Sequence, residues 1–325
     1  MGLLRLPWPS LRDCDNAAES AVARRERSKQ DSALQLPETQ RKGTVAARLT
    51  QNILFALFVD PLRMIAGLWT RRDLVWQFTK RNIELRHRGS RLGAFWALLN
   101  PLSMLGLYFV LFGVIYDQRF NVLPGETRYD FSLALFLGLA LFHVFSETVA
   151  ASPALITSNP NFVKKVVFPL EVLPAAQIGA AAFHLSVGLG LVLIGSIFST
   201  AGLTLHFLWL PVLVLPLLLL ALGVSWFLAA LGVFLRDIGQ ITAFAATALL
   251  FASAVMFPPE RIPEQLQFLR FNPIFQIIDL ARHGVLWHQP VSLDWLAYVY
   301  VVAVVIFFAG AVFFALLRRS FAEVI

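Results

Sequence analysis

The sequence predicts an all-α integral membrane protein with six transmembrane helices, and three observations lead there. Of 325 residues, 58% are hydrophobic and only 14% charged, against roughly 45–50% and roughly 25% in soluble domains. The apolar residues lie in long blocks rather than in period-2 or period-3.6 stripes. The basic excess sits ahead of the first long block: residues 1–91 carry 17 Lys+Arg and 9 Asp+Glu, and residues 92–325 carry 10 and 11. So much apolar surface cannot be hidden inside a water-soluble particle of 36.3 kDa. A cytosolic enzyme, a disordered chain and a disulfide scaffold are excluded. The single cysteine, Cys14, leaves no internal disulfide.

In chain order, residues 1–44 are polar and aperiodic and read as a disordered cytoplasmic extension without a signal-peptide core. Residues 45–69 are more apolar, but Arg48, Asp60, Pro61 and Arg63 interrupt them, so an interfacial helix is expected rather than a span. Together they form a 1–69 extension. Thr70 to Asp73 has the spacing of a capping box. It opens a basic amphipathic helix in which Gln77, Lys80, Arg81, Glu84, His87 and Arg88 share one side. This 70–91 segment is expected to lie in the membrane interface.

Six spans are expected, at residues 92–116, 131–151, 172–198, 207–235, 238–257 and 295–317. Each is long enough to cross about 30 Å of hydrocarbon at about 1.5 Å per residue. The tight turn Arg236-Asp237 separates the fourth from the fifth. Glu147 in the second span and Glu171 before the third are costly against lipid, so each is expected to meet an interhelical or interfacial partner. An N-terminus inside places twelve Lys+Arg on inner flanks and five, including Arg282, in outer loops. Both termini are therefore expected in the cytoplasm. The connection 258–294 is too apolar for a solvated loop, and residues 265–270 and 273–285 are expected to form short amphipathic helices dipping into the outer leaflet.

No lysine is followed by Ser or Thr, so the chain has no phosphate-cradling GxxxxGK[ST] loop. The histidines show no metal-ligand spacing, and His143 and His184 inside spans read as core residues. Neither catalytic nor metal-binding residues are expected. The segment SNPNFVKKVVFPLEVLP (158–174) stands out as a short basic-apolar loop bracketed by prolines, suited to entering a partner's groove.

At this point the chain resembles a known family. The run FTKRNIELRHRGSRLGAFWALLNPL (78–102), the loop NFVKKVVFPLEVLP (161–174), the turn Arg236-Asp237-Ile238 and NPIFQIIDLARHGVL (272–286) match its members in order and spacing. These members are the membrane subunits of type-2 ABC exporters for polysaccharides, the O-antigen, capsule and teichoic acid permeases. The resemblance covers about residues 70–320, and the 1–69 extension departs from it. It implies a homodimeric permease of the bacterial inner membrane, paired with two ATPase subunits that carry ATP and Mg and moving a lipid-linked glycan. It places Asn161, Val163, Lys164 and Lys165 in an ATPase-coupling segment, with Arg81, Glu84 and Arg88 on the exposed face of a gate helix. It makes residues 258–294 outer gating helices, and it lines the path with spans one and five. Those spans offer Tyr108, Phe112 and Tyr116 on one face, and Phe244 with Phe251 on another. Export of a drug or small lipid, or ion-coupled secondary transport, are the alternatives; an internal repeat expected of the latter is absent from the sequence.

Overall fold

The computed structural model describes residues 60–86, 93–116, 119–120, 122, 125–164, 168–235, 237–253, 255–257, 259 and 262–325. The extension up to residue 59, together with His87, Arg88, Lys165 and Arg236, lies outside the described residues. The described chain is helical throughout its long elements. We number its α-helices α1 Asp60–Thr70, α2 Arg72–Arg86, α3 Trp96–Tyr108, α4 Arg128–Ala151, α5 Pro160–Lys164 and α6 Val172–Ser196. There follow α7 Trp209–Phe234, α8 Ile238–Ala252, α9 Pro273–Ala281, α10 Leu293–Leu317 and α11 Phe321–Val324.

Five of these, with their 3₁₀ or π extensions, are long and apolar enough to cross a membrane: Trp96–Ile115, Arg128–Ala154, Val172–Ser196, Leu205–Phe234 and Leu293–Val324. Helix α4 is the axis of the bundle, with 72% of its apolar window buried. It starts earlier than the apolar block because Thr127 and Asp130 form a capping box. The Thr127 N–H donates to Asp130 Oδ2 at 2.8 Å, and Thr127 Oγ1 accepts from the Asp130 N–H. Around α4 pack Leu185 and Val192 of α6, Leu213 and Leu217 of α7 and Ile277 and Ile278 of α9, and Val299 of α10 joins the same core.

The expected fifth span is shorter than its apolar composition suggests. Helix α8 holds 15 residues, about 22 Å at 1.5 Å per residue, against about 30 Å of hydrocarbon. It stops because Ser253 turns extended (φ −107, ψ 157), and the backbone beyond finds partners in the following connection. Asn272 Nδ2 donates to the Ala252 carbonyl and to Ser253 Oγ, each at 3.2 Å, while Asn272 Oδ1 caps α9 at the Ile274 N–H. Irregular backbone is tolerated at membrane depth only with such satisfaction inside the protein. The connection forms a 3₁₀ segment Glu264–Phe271, α9 and a π-helical turn Arg282–Leu286, close to the two expected short helices. Arg282, counted among the charges of the outer connection, is not a solvated one. It is fully buried, Nε donates to the Ala134 carbonyl at 2.9 Å, and the guanidinium lies 4.6 Å over the Phe120 ring.

Thr70 is also corrected as a cap. It ends α1 rather than opening α2, since its hydroxyl donates backwards to the Ala66 and Gly67 carbonyls at 3.1 Å. A strap closes the end of the bundle opposite α2. Thr204 Oγ1 stands 3.1 Å from His206 Nδ1 and 2.8 Å from His288 Nε2, with the imidazoles stacked at 4.8 Å. These contacts hold His288 at φ 52, a left-handed conformation that side chains seldom adopt. Burial first, and His206 second, hold the His288 imidazole below its ordinary pKa.

Helices α7 and α10 meet backbone to backbone at Gly223 and Gly310. A Cβ at Gly310 would stand 2.0 Å from the Gly223 carbonyl oxygen, and one at Gly223 only 2.5 Å from the Ile306 carbonyl. Small residues at such crossings replace the hydrophobic drive that lipid removes. Gly310→Leu is therefore expected to cost at least the roughly 1–3 kcal/mol of overpacking, lowering the thermal unfolding midpoint in detergent. Gly106→Leu, where an added Cβ meets nothing within 4 Å, is expected to leave it nearly unchanged. Equal midpoints for the two variants contradict this packing.

Candidate functional site

The end of the bundle that carries α2 also carries α1, α5, the start of α6 and the end of α10. Asp60 at the start of α1 accepts from Arg319 Nη2 at 2.6 Å, which places the first and last described segments together. The centre of this end is Glu171. Its side chain is 5% exposed and contacts Arg71 at 3.2 Å, between α1 and α2, and Arg318 at 3.6 Å, after α10. Its carbonyl accepts from Trp226 Nε1 of α7 at 3.4 Å. The carboxylate thus ties the α1–α2 junction and the end of α10 to the start of α6, and the main-chain carbonyl of the same residue adds α7.

Helix α2 lies along α6. Thr79 is its buried residue, and its hydroxyl donates to the Ala176 carbonyl at 3.4 Å. The contact needs Gly179, where a Cβ would stand 2.5 Å from Thr79 Oγ1. Lys80, Arg81 and Glu84 stay exposed, and the Arg81 guanidinium lies 5.1 Å over the Phe78 ring. Trp76 and Leu85 are 64% and 45% exposed, so the apolar side of α2 is only partly spent on the bundle. This suits a helix in the interface. At its far end Arg86 Nη1 donates to Glu147 Oε1 of α4 at 2.6 Å.

The loop after α4 folds into α5. Asn161 and Lys164 are exposed there and Val163 is partly buried; Lys164 Nζ donates to the Ile325 carbonyl at 2.5 Å. Phe162 stacks on Phe168 at 4.6 Å, and both rings pack on Phe78 of α2, at 5.5 and 5.2 Å. The clasp brings the expected coupling residues Asn161, Val163 and Lys164 beside the surface that bears Arg81 and Glu84. The clasp itself went unread in the sequence. Its available signal was two phenylalanines in a short basic loop, where solvated residues are the norm.

Helix α3 contrasts with this buried end. Only 6% of its apolar window is buried. Its last turns form a π-helix, Phe109–Ile115, a departure that recurs at functional positions. Tyr108, Phe112 and Tyr116 line up as a ladder, with ring centroids 6.3 and 6.0 Å apart. Phe112 leans on Phe131 at 6.3 Å, and Tyr116 is 60% exposed. Phe244 and Phe251 of α8 are 76% and 63% exposed, and within one chain no described ring contact joins them to the ladder. Asp237 is exposed before α8, without a side-chain cap bond.

Replacing Glu171 by Gln removes the charge of a side chain only 5% exposed and takes the counter-charge from Arg71 and Arg318, themselves 50% and 32% exposed. Lost hydrogen bonds to a charged group cost about 1.5–3 kcal/mol. Glu147, 30% exposed, is better screened. Glu171→Gln is therefore expected to lower the unfolding midpoint clearly more than Glu147→Gln. The reverse order contradicts the assignment of Glu171 as the joint.

Comparison with known proteins agrees with this architecture. The chain is 28% identical over 265 residues to the O-antigen export system permease protein RfbA of Myxococcus xanthus, covering 81% of this chain and 99% of that protein. It is 22% identical over 270 residues to the protein of the same name from Klebsiella pneumoniae, with 81% and 99% covered. It is 28% identical over 228 residues to the polysialic acid transport protein KpsM of Escherichia coli, with 67% and 84% covered. Residues 73–286, from the first turn of α2 through the π-helical turn after α9, match the family model for ABC-2 type transporters. The chain belongs to the ABC-2 type transporter membrane family.

Proposed function

We infer that this chain is the permease subunit of an ATP-driven exporter that carries a lipid-linked polysaccharide across the bacterial inner membrane. It works as a homodimer of six-span subunits, α8 with its following connection making the fifth crossing, and both termini face the cytoplasm. Two separate ATPase subunits supply ATP and Mg. Relatives named as O-antigen export permeases and a polysialic acid transport protein, aligned over nearly their whole length, support the cargo class. The missing phosphate-binding loop supports hydrolysis on another chain.

The observation that carries the reading is α3. A 20-residue apolar span with 6% of its window buried has no finished environment in one chain, and a second copy completes it. Aromatic faces attract sugar C–H surfaces without binding a charge, so a long polymer slides along Tyr108, Phe112 and Tyr116 rather than sticking, with Phe244 and Phe251 on the facing wall. At the basic end, Asn161, Val163, Lys164 and Lys165 take the ATPase stroke. Arg81, Glu84 and Arg88 form the rim of the same docking surface, and the Phe78 clasp passes the stroke to α2. The segment after α8 serves as the outer gate.

The test is transport of a lipid-linked glycan per folded permease after reconstitution with the ATPase. Replacing Phe112 and Tyr116 together by Ala is expected to reduce transport about tenfold or more while abundance stays nearly unchanged. Phe308→Ala, at a 42% exposed ring of α10, is expected to change neither. Abundance and transport falling in proportion in both sets contradicts a sliding path.

A further inference from the structure

Beside the last residue of α2, between α3, α4 and α6, lies a cavity of about 460 Å³, within the range of small-molecule sites. Its two ends differ in chemistry. Arg86, His143, Glu147 and His184 line one end, and Met104, Phe136, Leu139 and Leu185 the other. A second space of about 400 Å³ shares Arg86, Glu147 and His184 and adds Asn82 and Gln177. Such a gradient fits an amphiphile whose head meets the charges and whose tail follows the apolar wall. Trp96 also borders the cavity, and tryptophan is enriched at headgroup depth.

Charge decides the kind of head. Arg86 and Glu147 touch through one nitrogen and one oxygen at 2.6 Å, with side chains 48% and 30% exposed. A guanidinium has five N–H donors and a carboxylate two oxygens, so each retains bonding capacity toward the space both groups line. A purely anionic head meets repulsion from Glu147, and a purely cationic one from Arg86. A neutral head leaves the pair only its single mutual contact, with the remaining donors of Arg86 and the second oxygen of Glu147 unanswered by the head. A head with a phosphate and an ammonium a few ångströms apart answers both charges, and guanidinium suits phosphate.

We propose that this cavity binds an ethanolamine phospholipid from the leaflet where α2 lies, with its phosphate on Arg86 and His184 and its ammonium on Glu147. The first acyl carbons run along Met104, Phe136 and Leu139, and the bound head pins the end of α2 to α4. Tyr108 of the proposed path borders the apolar end of the cavity, but the head site is tested on the chain without cargo or ATPase, so its failure leaves the proposed transport function standing.

The test uses the full chain in nanodiscs of equal parts phosphatidylethanolamine, phosphatidylglycerol and phosphatidylcholine, followed by native mass spectrometry of retained lipid. The wild type is expected to retain the ethanolamine lipid several-fold over both others. Glu147→Gln is expected to lower the ethanolamine-to-glycerol ratio about tenfold, because the ammonium loses its partner and the anionic head its repulsion. Ala140→Leu, which fills part of the cavity and keeps both charges, is expected to reduce retention of all three in unchanged order. A series of mono-, di- and trimethylated ethanolamine lipids on the wild type needs no variant, and retention is expected to fall as N–H donors are lost. No ethanolamine enrichment, a preference for the anionic lipid, a ratio unmoved by Glu147→Gln, or indifference to methylation overturns the proposal.

Discussion

The structure depends most on one buried carboxylate. Glu171 enters the bundle with a side chain almost closed to solvent, a position that strongly disfavours an unpaired charge. Arg71 and Arg318 make it tolerable, and in doing so they tie the α1–α2 junction and the end of α10 to the start of α6. Behind the carboxylate, Trp226, Phe314 and Phe321 are buried in a cluster on which Phe78, Phe162 and Phe168 also pack. The short α5 could not hold its place alone, since a five-residue helix has little stability of its own. It stands because the clasp and this cluster give it a fixed seat.

The same logic explains what the sequence made legible. The spans were readable because lipid demands long uncharged blocks, and α4, α6, α7 and α10 begin and end within a few residues of them. The apolar continuation from Ala252 to Phe257 runs past the end of α8 because composition does not reveal where a donor waits. Asn272 satisfies the end of α8 across 20 residues of chain, a pairing with no local signal. Glu147 and Glu171 were recognisable as groups needing partners, yet Arg86 and Arg71 lie 61 and 100 positions away. Arg282 was counted only as a charge of the outer connection, because nothing near it in sequence marks its burial. Its bond to the Ala134 carbonyl exists only in the folded bundle.

Membership of the ABC-2 family gives these features a common sense. One end of the chain presents exposed Asn161 and Lys164 on a helix clasped to α2, the surface proposed to receive force. One span, α3, is left almost unpacked and carries a ladder of rings. The interior between them, around α4, is dense and well bonded. The proposed motion of a rigid subunit against a second copy uses each of these parts.

The central claim is that α5 and α2 move as one body. Spin labels at Asn161 and Lys80, both exposed, report the distance between these helices by pulsed electron resonance in the complex with the ATPase. The account predicts that this distance stays constant between nucleotide-free and ATP-bound states, while the distance between the two copies of Lys80 changes. A change in the Asn161–Lys80 distance within one subunit, with the intersubunit distance fixed, contradicts it.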